Sequence, residues 1–166
     1  MDMLKSGDLL RMKNVRGEWC VSIYLPINPQ TLPDNRKRLK NLTDVAEKKL
    51  IDLGMSLKKA AKMLLPLDRI LENISFRKDK NESLIMLLMP NAFIWSVLPF
   101  ESDELAIVSN HFYLQPLFIF RAKELKRRAK NLLKSSNKFY PIENLPMIPP
   151  KLLTSKIKTK PQTEKN

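Results

Sequence analysis

The chain reads as an α/β protein of the α+β kind: a mixed sheet of about four to five strands with two helices packed on it, followed by a basic C-terminal helix and a disordered tail. Three observations predict this. A β-rich apolar run sits near the N-terminus, two helix-period segments follow it, and short β-rich runs parted by turn residues come next. That order of elements belongs to layered α/β or α+β structures rather than to all-α or all-β ones.

The first element is Cys20-Val-Ser-Ile-Tyr-Leu25, which alternates around β-branched and aromatic residues and stops at Pro26. Pro26, Pro29 and Pro33 then mark a loop. From Asn35 to Leu53 the apolar positions Leu39, Leu42, Ala46, Leu50 and Leu53 recur at three- and four-residue steps, which predicts an amphipathic helix ended by Gly54. Ser56 is a suitable N-cap for a second helix carrying Leu57, Ala60, Ala61, Leu64 and Leu65, with a further turn or two beyond Pro66 through Leu67, Ile70 and Leu71.

The period then changes. Ser83 to Met89, Phe93 to Leu98 and Glu104 to Val108 read as strands, the first two close enough for a hairpin. His111 to Phe120 is a Phe-rich run broken by Pro116, which suits an edge strand or an exit from the sheet. Arg121 to Lys134 is a basic amphipathic helix with Ala122, Leu125, Ala129, Leu132 and Leu133 on one stripe. Beyond Ser135, five prolines and scattered lysines predict disorder. The organisation is therefore a body over residues 1–120, a basic helix over 121–134 and a basic tail over 135–166.

Charge follows the same division. The chain carries 30 Lys+Arg against 17 Asp+Glu, a net charge of +13. Residues 121–166 hold 13 basic and 3 acidic residues, or +10, which leaves only +3 for residues 1–120. The excess belongs to the tail and points to a polyanionic partner, with an anionic membrane or an acidic protein as the alternatives.

Composition excludes several chemistries. One cysteine, Cys20, cannot close an intramolecular disulfide, and a single histidine leaves the common zinc and haem sites short of ligands. Three glycines, none adjacent, build neither a dinucleotide nor a P-loop phosphate cradle, and no G-x-S-x-G elbow is present. The N-terminus is interrupted by charges and has no secretory h-region. The longest apolar run, Leu84 to Met89, is far below the roughly 20 residues that span a bilayer. A cytoplasmic protein without cofactor, metal or small-molecule substrate is expected.

The candidate chemistry-bearing residues divide in the same way. His111 lacks a visible nucleophile or base partner and reads as a satisfied or surface histidine. Glu101, Asp103 and Glu104 have oxygens that suit a hard cation, but a turn between strands is where solvated carboxylates collect. Trp19, Trp95, Phe112 and Tyr113 offer stacking surfaces for bases, yet they lie in strand-like runs where core packing is the simpler role. The candidate nucleic-acid-binding residues are cations. Arg36, Lys37, Arg38 and Lys40 crowd the start of the first long helix, where the macrodipole opposes them and a phosphate would relieve the clash. Lys126, Arg127, Arg128 and Lys130 stand on the tail helix and form the stronger electrostatic feature.

The order of motifs resembles a known family. Cys20-Val-Ser-Ile-Tyr-Leu-Pro26, then Arg38-Leu-Lys-Asn-Leu42, then a helix ending at Gly54, is similar to the N-terminal region of the bacterial relatives of archaeo-eukaryotic peptide release factors. The likeness continues through Phe93 to Pro99 and closes with Val108-Ser-Asn-His-Phe-Tyr-Leu-Gln-Pro-Leu117, covering about Leu4 to Phe118. It implies a part in translation: association with the ribosome or structured RNA, in release, rescue or quality control. Family members continue for two further domains, and the Gly-Gly-Gln loop that hydrolyses peptidyl-tRNA has no counterpart where no two glycines adjoin. Glu82-Ser83 also lacks the glycine usual before the first sheet strand, and nothing after Phe120 is similar. The resemblance thus implies a truncated, non-enzymatic member: an isolated N-terminal domain joined to an unrelated basic tail. The competing expectations are a protein- or membrane-interaction fragment acting through the basic helix, and a remnant without activity.

Overall fold

The computed structural model describes residues 6–139, with side chains from 7 to 135. The elements are helix α1 (Ser6–Asn14), strand β1 (Cys20–Pro26), helix α2 (Leu32–Asp52), helix α3 (Leu57–Leu64), a 3-10 segment (Leu65–Glu72), strands β2 (Ser83–Met89), β3 (Ala92–Leu98) and β4 (Leu105–Ser109), and helix α4 (Gln115–Phe139). The chain divides into two compact units, one ending at Phe120 and the other beginning at Arg121.

The fold is α+β. Its sheet has four strands in the order β3-β2-β1-β4, and each neighbouring pair is antiparallel rather than mixed. β2 and β3 form the expected hairpin, with Met89 opposite Ala92 across a tight turn. β1 lies between β2 and β4, pairing Ile23 with both Met86 and Ala106.

Burial explains why the central strands are apolar throughout. Val21, Ile23 and Leu25 of β1, with Leu84, Met86 and Leu88 of β2, pack against α2, α3 and the 3-10 segment. The alternate residues Cys20, Tyr24, Ile85 and Leu87 face a second apolar cluster that includes Leu9 and Met12 of α1 and Phe112, Leu114 and Leu117. A strand covered on both faces loses the apolar/polar alternation of a half-exposed one.

Two polar groups of β1 are buried on the second side, and both are satisfied by one residue. The Tyr113 amide donates to Ser22 Oγ at 2.9 Å, and the Tyr24 hydroxyl donates to the Tyr113 carbonyl at 2.6 Å. Burial, with the neighbouring Tyr113 adding to it, pushes the Tyr24 hydroxyl above its ordinary range and keeps it a donor. The two rings meet edge to face at 6.2 Å between centroids.

The end of α2 is fixed in the backbone. Gly54 has φ +103°, its amide donates to the Ile51 carbonyl, and the Met55 amide donates to the Leu50 carbonyl at 3.0 Å. This pair of bonds is a Schellman termination, with Met55 and Leu50 both buried. The following helix starts at Ser56, whose hydroxyl accepts from the Lys59 amide at 3.4 Å.

Several expectations are corrected. α1 is an additional helix in a segment read only for its charges. α2 begins at Leu32 rather than Asn35, because Pro33 occupies the first turn, where its missing amide leaves no bond unmade. Pro116 acts in the same way: His111 to Phe120 is not a strand, and α4 starts at Gln115 and runs through the segment assigned to the basic helix as far as Phe139. Residues 135–139 are therefore helical, and the rest of the tail expected to be disordered lies outside the described residues. The stripe assigned to α3 is rotated: Ala60, Met63 and Leu64 are buried, while Leu57, Ala61 and Leu65 are exposed.

Tyr24→Phe removes the donor to the Tyr113 carbonyl while keeping the ring. Leaving that acceptor unpaired is expected to lower stability by about 1–3 kcal/mol in urea denaturation. An unchanged midpoint would mean that the bond contributes nothing net.

Candidate nucleic-acid interface

The cations at the start of α2 do not form an open phosphate site. Arg36 is the fifth residue of α2, and the first turn carries Asp34, so the free amides and the macrodipole meet an acidic side chain rather than a cationic crowd. Arg38 is turned inward. Its Nε donates to Glu104 Oε2 at 2.7 Å and its second guanidinium nitrogen reaches the same oxygen at 2.6 Å, while Nη1 donates to Asn35 Oδ1 at 3.3 Å. Asn35 is fully buried. It accepts from the Asn28 amide at 3.1 Å and donates to the Asn28 carbonyl at 2.6 Å. Glu104, Arg38, Asn35 and Asn28 therefore tie the entry to β4, the second turn of α2 and the exit from β1 together.

Arg36 and Lys40 are held more loosely, by Glu72 at 3.6 Å and Asp44 at 3.8 Å. Both are exposed pairs of the kind that contribute little and exchange readily. They line a cavity of about 310 Å³ between α2 and the 3-10 segment, floored by Leu39, Leu67 and Leu71. Its rim holds Arg36 and Lys40 against Asp44, Asp68 and Glu72, two cations against three carboxylates, a balance that disfavours phosphate. Lys37 is exposed and has no carboxylate partner among the described residues. Four cations less the three carboxylates that pair them leave one net charge where the sequence promised four.

The tail helix differs. Arg121 to Ser135 contains seven basic residues and one acidic one, a net +6. Arg127 donates to Glu124 through Nε at 3.1 Å and through a second nitrogen at 2.5 Å, and Arg128 Nε reaches the same carboxylate at 3.4 Å. The hydrogen bond from Arg127 leads in holding the Glu124 carboxyl below its ordinary pKa, and Glu124 raises Arg127 in return. Lys126 and Lys130, with Lys123 and Lys134, have no carboxylate partner among the described residues. One glutamate thus organises two of the four assigned cations, and the lysines stand in solvent.

Most of the remaining candidates take structural positions, and Trp95 and His111 stay exposed. Phe112 is buried, Tyr113 packs on Tyr24 and Trp19 is half-buried against the first core cluster, while Trp95 is partly exposed on β3. Glu104 serves Arg38. His111 is exposed, its Nδ1 2.7 Å from Asn110 Oδ1 and 3.3 Å from Ser109 Oγ. Cys20 is fully buried, and burial raises its thiol pKa despite opposing contributions from Gly17 and Arg16. Among the described residues, no helix is long and apolar enough to cross a membrane.

One set of exposed cations escaped the sequence reading: Lys58, Lys59 and Lys62 on α3, none with a carboxylate partner among the described residues. The signal was present, since the apolar positions of this helix leave every lysine on its outer side. No family model matches the chain, and no curated protein matches it.

Arg38→Ala removes the clamp on a pair about one-third exposed, and is expected to lower stability by roughly 1 kcal/mol after allowance for solvent screening. Lys37→Ala is expected to leave stability within about 0.5 kcal/mol. Paired urea titrations check this; equal losses in both variants would contradict the clamp.

Proposed function

We propose that the chain is a non-enzymatic, cytoplasmic, translation-associated module that binds RNA or the ribosome and is related to the N-terminal region of the bacterial release factor-like proteins. The body supplies shape and the tail helix supplies sequence-independent affinity. The observation that carries this reading is the +6 segment Arg121 to Ser135, whose lysines have no carboxylate partner among the described residues. Such a cationic helix releases counterions from a phosphate backbone and gains affinity without reading bases. Its contacts are Lys126, Arg127, Arg128 and Lys130. At the start of α2, Lys37 is the one of the four assigned cations without a carboxylate partner among the described residues, while Arg36, Lys40 and Arg38 stay with Glu72, Asp44 and Glu104.

A second reading, an acidic protein partner for the tail, is favoured by a different observation. Leu125 and Leu132 are 61% and 70% exposed, and a phosphate backbone gives them no apolar contact.

Filter binding of the full chain to ribosomes and to structured RNA at rising salt tests the proposal. Neutralising five phosphates gives a log–log slope near −4.5 on a duplex, at about −0.9 per phosphate. The variant Lys126→Gln, Arg127→Gln, Arg128→Gln, Lys130→Gln is expected to flatten that slope by about 3–4. A flat wild-type response, or no binding at low salt, overturns the reading.

A further inference from the structure

The geometry points to a second, distinct surface: the outer face of α3 and the corner that joins it to α2 dock on an anionic lipid surface. Leu53 at the end of α2 is 57% exposed, Leu57 at the start of α3 is 62% exposed and Leu65 just beyond α3 is 64% exposed. Leu57, Ala61 and Leu65 recur every fourth residue, so they form one outward strip roughly 12 Å long at 1.5 Å per residue. Lys58 and Lys62 repeat the same step immediately beside that strip, with Lys59 beyond them. α3 contains no acidic residue, and the exposed carboxylates that flank it in sequence are Asp52 before and Asp68 after.

The strip is fixed in place before any partner arrives. Ala60, Met63 and Leu64 anchor the opposite side of α3 in the core, and Ser56 caps its first turn. Gly54 and the buried Met55 lock the corner. Exposed leucines set singly among polar residues need no explanation, but Leu57 and Leu65 on one strip, with Leu53 at the corner and three lysines that have no carboxylate partner among the described residues, form a patch with two chemistries. A phosphate backbone satisfies the lysines and offers the leucines nothing. The headgroup layer of an anionic bilayer satisfies both, taking leucine side chains into the acyl boundary while lysines meet lipid phosphates and carboxylates. Attachment would be peripheral, since no described helix is built to cross a membrane.

Co-sedimentation of the full chain with phosphatidylcholine vesicles, with and without phosphatidylserine, tests the assignment at low salt. Wild-type protein is expected to pellet with the anionic vesicles and not with the neutral ones. Leu57→Ser with Leu65→Ser keeps every charge, and Lys58→Gln, Lys59→Gln, Lys62→Gln keeps every leucine; each is expected to weaken partitioning at least about tenfold. All five positions are exposed, and circular dichroism with a urea midpoint verifies that each variant is folded. Absence of anionic-vesicle binding overturns the assignment. So does a leucine variant that binds like wild type, which would show a purely electrostatic attraction in which the apolar strip takes no part. Loss confined to the tail variant, with both α3 variants unchanged, moves the lipid contact to the tail and overturns it equally. The RNA titration reads a different ligand, so either proposal fails without the other.

Discussion

The fold is organised by one constraint: β1 is covered on both faces. Cys20 to Leu25 are solvent-inaccessible, so each side chain in that run must be apolar or have its hydrogen bonds met inside the protein. The apolar side chains on one face draw α2, α3 and the 3-10 segment against the sheet. On the other, Ser22 and Tyr24 are satisfied by the amide and carbonyl of Tyr113, which holds the segment before α4 against the strand. The same hydrogen bonds that make a buried serine and tyrosine tolerable thus fix where the chain leaves the sheet and turns into α4.

The layered arrangement also decides what the charges do. Covering the first face brings the second turn of α2 beside the start of β4, where Arg38 meets Glu104 and the buried Asn35. It sets the 3-10 segment along α2, which gives Arg36 its partner Glu72. Cations that look like a ligand site in one dimension therefore become the body's own cross-links. α3 is different because its core face consumes only small and apolar residues, leaving its lysines and two neighbouring leucines in solvent. In the second unit a single glutamate faces seven basic residues between Arg121 and Ser135. The proposed polyanion contact rests on this unbalanced helix, and the proposed lipid contact on the apolar strip of α3.

Much of the fold was legible. The sequence pattern matches the observed bounds of β2, those of β1, β3 and β4 to within one residue, and Gly54 as the stop of α2, because β-rich runs and a lone glycine after a helical period are strong local signals. What failed was ambiguous in a local window. Pro33 and Pro116 each look like breaks, but in the first turn of a helix proline costs no hydrogen bond. α1 has only Leu9 and Met12 in the core among its charges, too little periodicity to stand out. The α3 stripe was misplaced because two adjacent strips, Ala60 with Leu64 and Leu57 with Ala61 and Leu65, share one period. The candidate site was least legible. Arg38 finds Glu104 66 residues away, and no local pattern announces such a partner.

The central claim is that charge free for a polyanion lies on the tail helix and not at the start of α2. Lysine acetylation footprinting of the full chain, with and without bound structured RNA, tests it residue by residue. The account predicts protection at Lys123, Lys126, Lys130 and Lys134, with the reactivity of Lys40 unchanged. Protection concentrated at Lys37 and Lys40, with the tail lysines as reactive as in the free protein, would contradict it.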